Sequence, residues 1–371
     1  VSDFEIGQGR RGRSALSFED IAVAPSRRTR APELVSTAWQ IDAYRFDTPI
    51  VAAPMDSVVS PETAIAVGKL GGLGVLNLEG LWTRYEDPSE AYAEIAELSD
   101  SEVTARMQQL YAAPVRPDLV EARIAQVREA GVVTAAALSP NRVPELAPVV
   151  MRAGVDVFVI RGTTVSAEHV GVSDEALNLK EFIYTLDAPV VVGGVATYRA
   201  ALHLMRAGAA GVLVGFGGGA AHTTADVLGL RVPMATAVAD VAAARRDYMD
   251  ESGGRYVHVI ADGAMSRSGD IVKAFGCGAD AVMVGSPLAR AEEAPGRGWH
   301  WGMEAVHPEL PRGERHWAGT IGPLAEILHG PSRRPDGTMN LVGALRRAMA
   351  TTGYSDLKEF QRVDLTVSTT P

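Results

Sequence analysis

Val212-Leu213-Val214-Gly215-Phe216-Gly217-Gly218-Gly219-Ala220-Ala221-His222-Thr223-Thr224 runs from an unbroken apolar segment into four glycines within five positions, then into a histidine and two hydroxyl residues. The apolar part reads as a strand covered on both faces, because a half-exposed strand alternates apolar with polar residues. The glycines suit a backbone that turns sharply and lies close to a ligand, since they lack the Cβ that would obstruct either. Outward from this stretch the same unit recurs. Apolar strand-like runs stand at 49–55, 73–76, 133–138, 155–160, 189–195, 211–214, 256–261 and 281–284. Helix-like stretches separate them at 61–70, across the charged, alanine-rich 86–131, and at 144–153, 179–186, 198–207, 234–250 and 269–275. Ser60 is the expected N-cap of the first helix, with Pro61 at its first position. Eight continuous strands alternating with helices point to a (β/α)8 barrel more than to an open, doubly wound sheet, which stays as the alternative.

The chain of 371 residues is read as one such barrel domain, preceded by an irregular segment over 1–47. A long loop over 297–320 carries Trp299, His300 and Trp301 and is read as flap-like, because aromatic-bearing loops of this length usually serve function. A helix ending near Gly353 closes the pattern. The net charge of −10 argues against nucleic-acid binding, which needs a basic footprint. The one cysteine, Cys277, excludes an internal disulfide framework and any multi-cysteine metal site, and a reducing, cytoplasmic setting is expected. The polar, arginine-bearing start does not read as a signal peptide, and no apolar run is long enough to span a bilayer.

In such a barrel the strand C-termini build the active site. Strand one delivers Met55 there, strand six the glycine loop, strand seven Asp262-Gly263-Ala264, and strand eight Gly285-Ser286. The last two read as a phosphate cradle, for which converging backbone N–H groups suffice. Asp262 is suited to accept hydrogen bonds from a ribose diol, or to serve only as a turn residue. Other nucleotide motifs fail. There is no G-x-x-x-x-G-K-[ST], and the loop at 215 does not complete G-x-G-x-x-G because residue 220 is alanine. No histidine pair at helical spacing suggests a metal, and His300, His307 and His316 all fall in the irregular segment.

Together, Ala53-Pro54-Met55-Asp56-Ser57-Val58, the 215–224 loop, Asp262-Gly263 with Ser268-Gly269-Asp270, Val282-Met283-Val284-Gly285-Ser286, and Glu292-Glu293-Ala294-Pro295-Gly296 resemble the IMP dehydrogenase/GMP reductase family. Ser17-Phe18-Glu19-Asp20 adds to the likeness, which is strongest with the bacterial subfamily lacking CBS regulatory domains. The resemblance implies a purine nucleoside 5′-monophosphate as ligand, NAD or NADP as cofactor and redox chemistry at C2 of the base. It further implies a homotetramer. It gives Met55, Gly302 and Met303 to the base, Asp262 to the ribose, and Gly263, Ala264, Gly285 and Ser286 to the phosphate. It places Thr224 and Glu293 as a proton-handling pair, and Gly217, Gly219 and residue 222 beside a potassium ion.

The departures bear on the chemistry. His222 occupies the position that the resemblance gives to a catalytic cysteine, and imidazole is a poor substitute for thiolate in covalent attack. As a participant His222 would do acid–base work. A phosphate-binding serine of the same loop is Ala220. The cofactor-binding positions after strands four and five are Arg161 and Val195, where an aspartate and an asparagine are expected. Arg161 is read as meeting the extra phosphate of NADPH or as a solvated strand-end cation. The Arg-Tyr pair that activates water in the dehydrogenases is not visible in 297–320. Three readings follow: a GMP reductase-like enzyme converting GMP to IMP and ammonia, an IMP dehydrogenase, and a nucleotide-binding regulatory paralogue without turnover.

Overall fold

The computed structural model describes residues 3–167, 169, 177–216 and 218–368. Eight parallel strands close into a barrel: β1 (Ile50–Ala52), β2 (Leu73–Asn77), β3 (Ala135–Leu138), β4 (Val157–Arg161), β5 (Val190–Val195), β6 (Gly211–Val214), β7 (His258–Asp262) and β8 (Ala281–Val284). Each pairs with its sequence neighbour, and β8 closes on β1 through Val282 opposite Ile50 and Val284 opposite Ala52. The open sheet is thereby excluded. The strands are continuous runs of Val, Ile, Leu and Ala because side chains of both faces are buried, one set inside the barrel and the other under the helices. Ser60 caps the first helix, Pro61–Lys69, its Oγ accepting from Thr63 N at 3.1 Å.

The stretch over 86–131 resolves into three helices, Ser89–Glu97, Asp100–Tyr111 and Pro117–Glu129. The first two form a second core with Leu81, Trp301, Ala305 and Val306, outside the barrel core proper. The segment before residue 47 is more regular than its sequence suggests. Asp3–Gly7 pairs with Arg10–Arg13, Trp39–Ile41 with Tyr44–Phe46, and Ile21–Val23 with Leu365–Val367 near the other end of the chain. Strands of three to five residues are too short to show a period, and their polar composition conceals them. Within 297–320, Trp299–His300 pairs antiparallel with His316–Trp317. The rings of Trp299 and Trp317 meet edge-on at 4.9 Å, and the Arg315 guanidinium lies 3.7 Å over Trp299.

Just before β8, Asp280 is a buried hub. It accepts from Arg245 Nη1 at 2.6 Å, Tyr256 Oη at 2.6 Å, Lys358 Nζ at 2.5 Å and Val259 N at 2.8 Å. Burial opposes its charge, but Arg245 and Lys358 outweigh burial and hold its carboxyl well below the usual range. Cys277 lies three residues before Asp280, with its thiol pushed up to about 12 by burial, which makes it a core residue and not a nucleophile. No helix among the described residues is long and apolar enough to cross a membrane.

Candidate active site

The C-terminal strand ends surround a cavity of about 370 Å³. Its wall takes Met55 from the loop after β1, Arg161 from β4 and Phe216, Gly218, Gly219, Ala220 and His222 from the loop after β6. Asp262, Gly263 and Ala264 follow from β7, Gly285 and Ser286 from β8, and His300 from the 297–320 segment. The glycine loop begins at Gly215 with φ +122°, where a Cβ would lie 2.5 Å from the carbonyl oxygen of Asp262. Only glycine permits that approach of β6 to β7. Ala264 has φ +57°, a conformation that costs a non-glycine residue on the order of 1 kcal/mol and is held where a turn serves a ligand.

A narrow recess of about 30 Å³ opens behind His222, bordered by Arg161, Thr163, Thr224, Asp262 and Glu304. His222 Nδ1 lies 3.7 Å from Glu304 Oε2. Both atoms are buried without a hydrogen-bond partner, as is Thr224 Oγ1. Burial works against the charge of Glu304, but His222, Arg161 and Arg312 prevail and keep its carboxyl below the ordinary glutamate range. A Cβ on Gly302 would stand 2.9 Å from Glu304 Oε2 and 3.0 Å from Met55 Cε. Met55, Gly302 and Glu304 therefore meet at one place.

Glu304 owes its position to packing from outside the barrel. It belongs to the turn Met303–Val306, whose Ala305 and Val306 are sunk in the second core. Ser57 Oγ accepts from Trp301 N at 3.1 Å and donates to Trp301 O at 3.0 Å. Trp301 Nε1 donates to Tyr111 Oη at 2.9 Å, and Tyr111 Oη donates to Asp56 Oδ2 at 2.7 Å. Beyond the turn, Thr223 N donates to Arg312 O and Glu314 N to Ala221 O, both at 2.9 Å, which fastens the segment to the His222 loop. Arg312 donates to Thr163 Oγ1 through Nε at 3.0 Å and Nη2 at 2.6 Å.

The expected site residues divide. Met55, Asp262, Gly263, Ala264, Gly285, Ser286 and His222 converge on the cavity; Thr224 borders its recess, and Gly302 stands against Met55 and Glu304. Glu293 does not join Thr224. It is exposed and accepts from Leu324 N at 2.8 Å, capping the helix Leu324–His329, a task its sequence neighbourhood did not reveal. Met303 packs against the second core and does not line the cavity. Arg161 lines both the cavity and its recess and is paired with a carboxylate there. Its side chain is 16% exposed and its Nε donates to Asp262 Oδ2 at 3.1 Å.

Val195 is buried in the barrel wall. Neither expected cofactor residue is free to hold a nicotinamide dinucleotide in this arrangement: Arg161 is engaged by Asp262, and Val195 is covered. The expected potassium site is described only in part. The Gly219 carbonyl accepts from His222 N at 3.1 Å, and Gly217 lies outside the described residues. Glu304 and Arg312 were not anticipated. The signal was there for Glu304, a lone charge inside the apolar run Trp299-His300-Trp301-Gly302-Met303-Glu304-Ala305-Val306.

Residues 15–305 match the IMP dehydrogenase / GMP reductase domain. An "uncharacterized oxidoreductase" of Mycolicibacterium smegmatis is 55% identical over 98% of this chain and 99% of its own length. An inosine-5′-monophosphate dehydrogenase of Methanocaldococcus jannaschii is 26% identical over 97% of this chain and 93% of its own. The crystal structure of an IMP dehydrogenase/GMP reductase-like protein from Corynebacterium glutamicum superposes with a TM-score of 0.94 at 53% identity, covering 99% of this chain and 98% of that one.

Proposed function

Because the chain belongs to the IMP dehydrogenase/GMP reductase family of oxidoreductases, we propose that its cavity holds a purine nucleoside 5′-monophosphate and that it acts, GMP reductase-like, at C2 of the base. The observation that carries this reading is the group of buried, unpartnered polar atoms around the recess: His222 Nδ1, Glu304 Oε2 and Thr224 Oγ1. Buried polar atoms are ordinarily satisfied, so three left open together await a ligand's polar groups. An imidazole beside a carboxylate and a hydroxyl handles protons at a leaving nitrogen, whereas it is poorly suited to the covalent attack of a thiolate.

In the balanced reaction, GMP takes up one hydride at C2 and two protons, the C2–N bond breaks, and IMP leaves with ammonium. His222 moves a proton at the departing nitrogen, Thr224 supports it, and Glu304 stays ionised beside them. Asp262 holds the ribose with the carboxylate oxygen that Arg161 leaves free. The backbone at Gly263, Ala264, Gly285 and Ser286 receives the phosphate. NADPH or NADH is the hydride source that the family suggests. Of the residues expected to hold it, Arg161 is paired with Asp262 and Val195 is buried.

That engagement of Arg161 by Asp262 favours a second reading, a nucleotide-binding member without turnover. The two separate when the protein is incubated with GMP and NADPH or NADH, and with IMP and NAD, while the absorbance of reduced nicotinamide is followed. Consumption of NADPH or NADH with GMP alone supports the first reading. A raised melting temperature with GMP or IMP but no turnover supports the second. If no purine monophosphate raises the melting temperature and Ser286→Ala changes nothing, both fail. The same reading includes a homotetramer, which light scattering after size exclusion tests.

A further inference from the structure

The proposed proton transfers leave one carboxylate of the site, Glu304, ionised and with no ligand contact assigned to it. Glu304 is 9% exposed, and its Oε2 faces His222 Nδ1 at 3.7 Å, too far for a hydrogen bond between them. Both atoms lack partners, and a ligand atom to one side of the pair would be within hydrogen-bond reach of both. An ionised carboxylate only accepts, so what it calls for is N–H donors. Its charge is preserved despite burial by His222, Arg161 and Arg312 around it.

Its surroundings fix where on a ligand it acts. Met55 Cε and the backbone of Gly302 border the same oxygen, so Glu304 belongs to the part of the site that the nucleotide reading gives to the base. It lines the recess behind His222 and not the wall formed by Gly285 and Ser286.

Resting on that nucleotide reading, we propose that Glu304 selects the guanine ring, its carboxylate accepting hydrogen bonds from N1–H and the 2-amino group. Guanine presents two adjacent donors on that edge, and the open Oε2, with its lone pairs, can accept from both. The second hydrogen of the 2-amino group points on toward His222. Hypoxanthine keeps N1–H but has no substituent at C2, so it forms half of the pairing. Xanthine sets a carbonyl at C2 against the carboxylate, and adenine sets the lone pair of N1 against it. A site built around a buried acceptor rejects ligands that leave it unpaired far more strongly than an apolar pocket would.

The test is isothermal titration calorimetry of the full chain with GMP, IMP, XMP and AMP, repeated on Glu304→Gln. The wild type should bind GMP roughly tenfold or more tighter than IMP, and XMP and AMP more weakly still. In Glu304→Gln the GMP affinity should fall by roughly tenfold or more, and XMP should gain relative to GMP, because the amide donates to the C2 carbonyl. Equal binding of GMP and XMP by the wild type, or a GMP preference that survives in a folded Glu304→Gln, overturns the role of Glu304 while leaving the nucleotide site standing. Binding of none of the four overturns both. The wild-type selectivity decides the matter alone if the variant does not fold.

Discussion

His300 stands in the wall of the cavity, almost wholly buried, with Nδ1 3.1 Å from Ser57 Oγ. Burial, reinforced by His222 and His316, pushes its imidazolium down to about 3 from 6.5. A depressed folded-state value means that the unfolded chain takes up the proton first as pH falls. The neutral ring therefore contributes stability above pH 6.5 that is lost progressively toward pH 3. His300→Asn should flatten that loss by about 1 kcal/mol per pH unit, measured by urea unfolding at about pH 7 and about pH 5. Glu293 makes an opposite kind of prediction. As a cap on Leu324 N it contributes about 0.5–2 kcal/mol, so Glu293→Ala should lower the unfolding midpoint modestly and leave GMP affinity unchanged in calorimetry. A loss of binding in that variant would restore it to the site.

At the scale of elements, the decisive contact runs from the loop after β1 to the 297–320 segment. Ser57 holds both polar groups of the Trp301 backbone, and that grip sets the turn carrying Glu304. Ser57→Ala leaves the Trp301 N–H without this acceptor and should cost about 1–3 kcal/mol. Amide exchange over 299–306 should quicken, and nucleotide affinity should fall although Ser57 does not line the cavity. Unchanged exchange there would show that the second core alone fixes the turn. This is also where the sequence could be read and where it could not. The barrel strands were legible because burial on both faces makes them continuous apolar runs. That Asp262-Gly263 and Gly285-Ser286 line one cavity was legible because they directly follow such runs. Which glutamate faces the site was not legible, because it depends on a helix at 324 needing a cap and on a tryptophan held by a serine far away in sequence. The Arg161–Asp262 pair was hidden for the same reason, since it joins β4 to β7 across the barrel.

For the whole molecule, the barrel base depends on Asp280, where Arg245, Tyr256 and Lys358 converge from three separate elements. Asp280→Ala leaves the buried Arg245 without its counter-charge and should cost roughly 3–5 kcal/mol in denaturant titration. A loss below about 1 kcal/mol would mean that Arg245 finds another partner or water. At the opposite end, the 297–320 segment holds Trp299, Trp301 and Trp317 of the five tryptophans in the chain, with Trp301 tied to Tyr111 and Trp299 between Arg315 and Trp317. Intrinsic emission is thus weighted toward the segment that carries Glu304. Nucleotide titration should be visible as a change in fluorescence without any attached dye, and Trp301→Phe together with Trp317→Phe should remove most of that signal. Ligand occupancy in this protein can accordingly be followed by its own light.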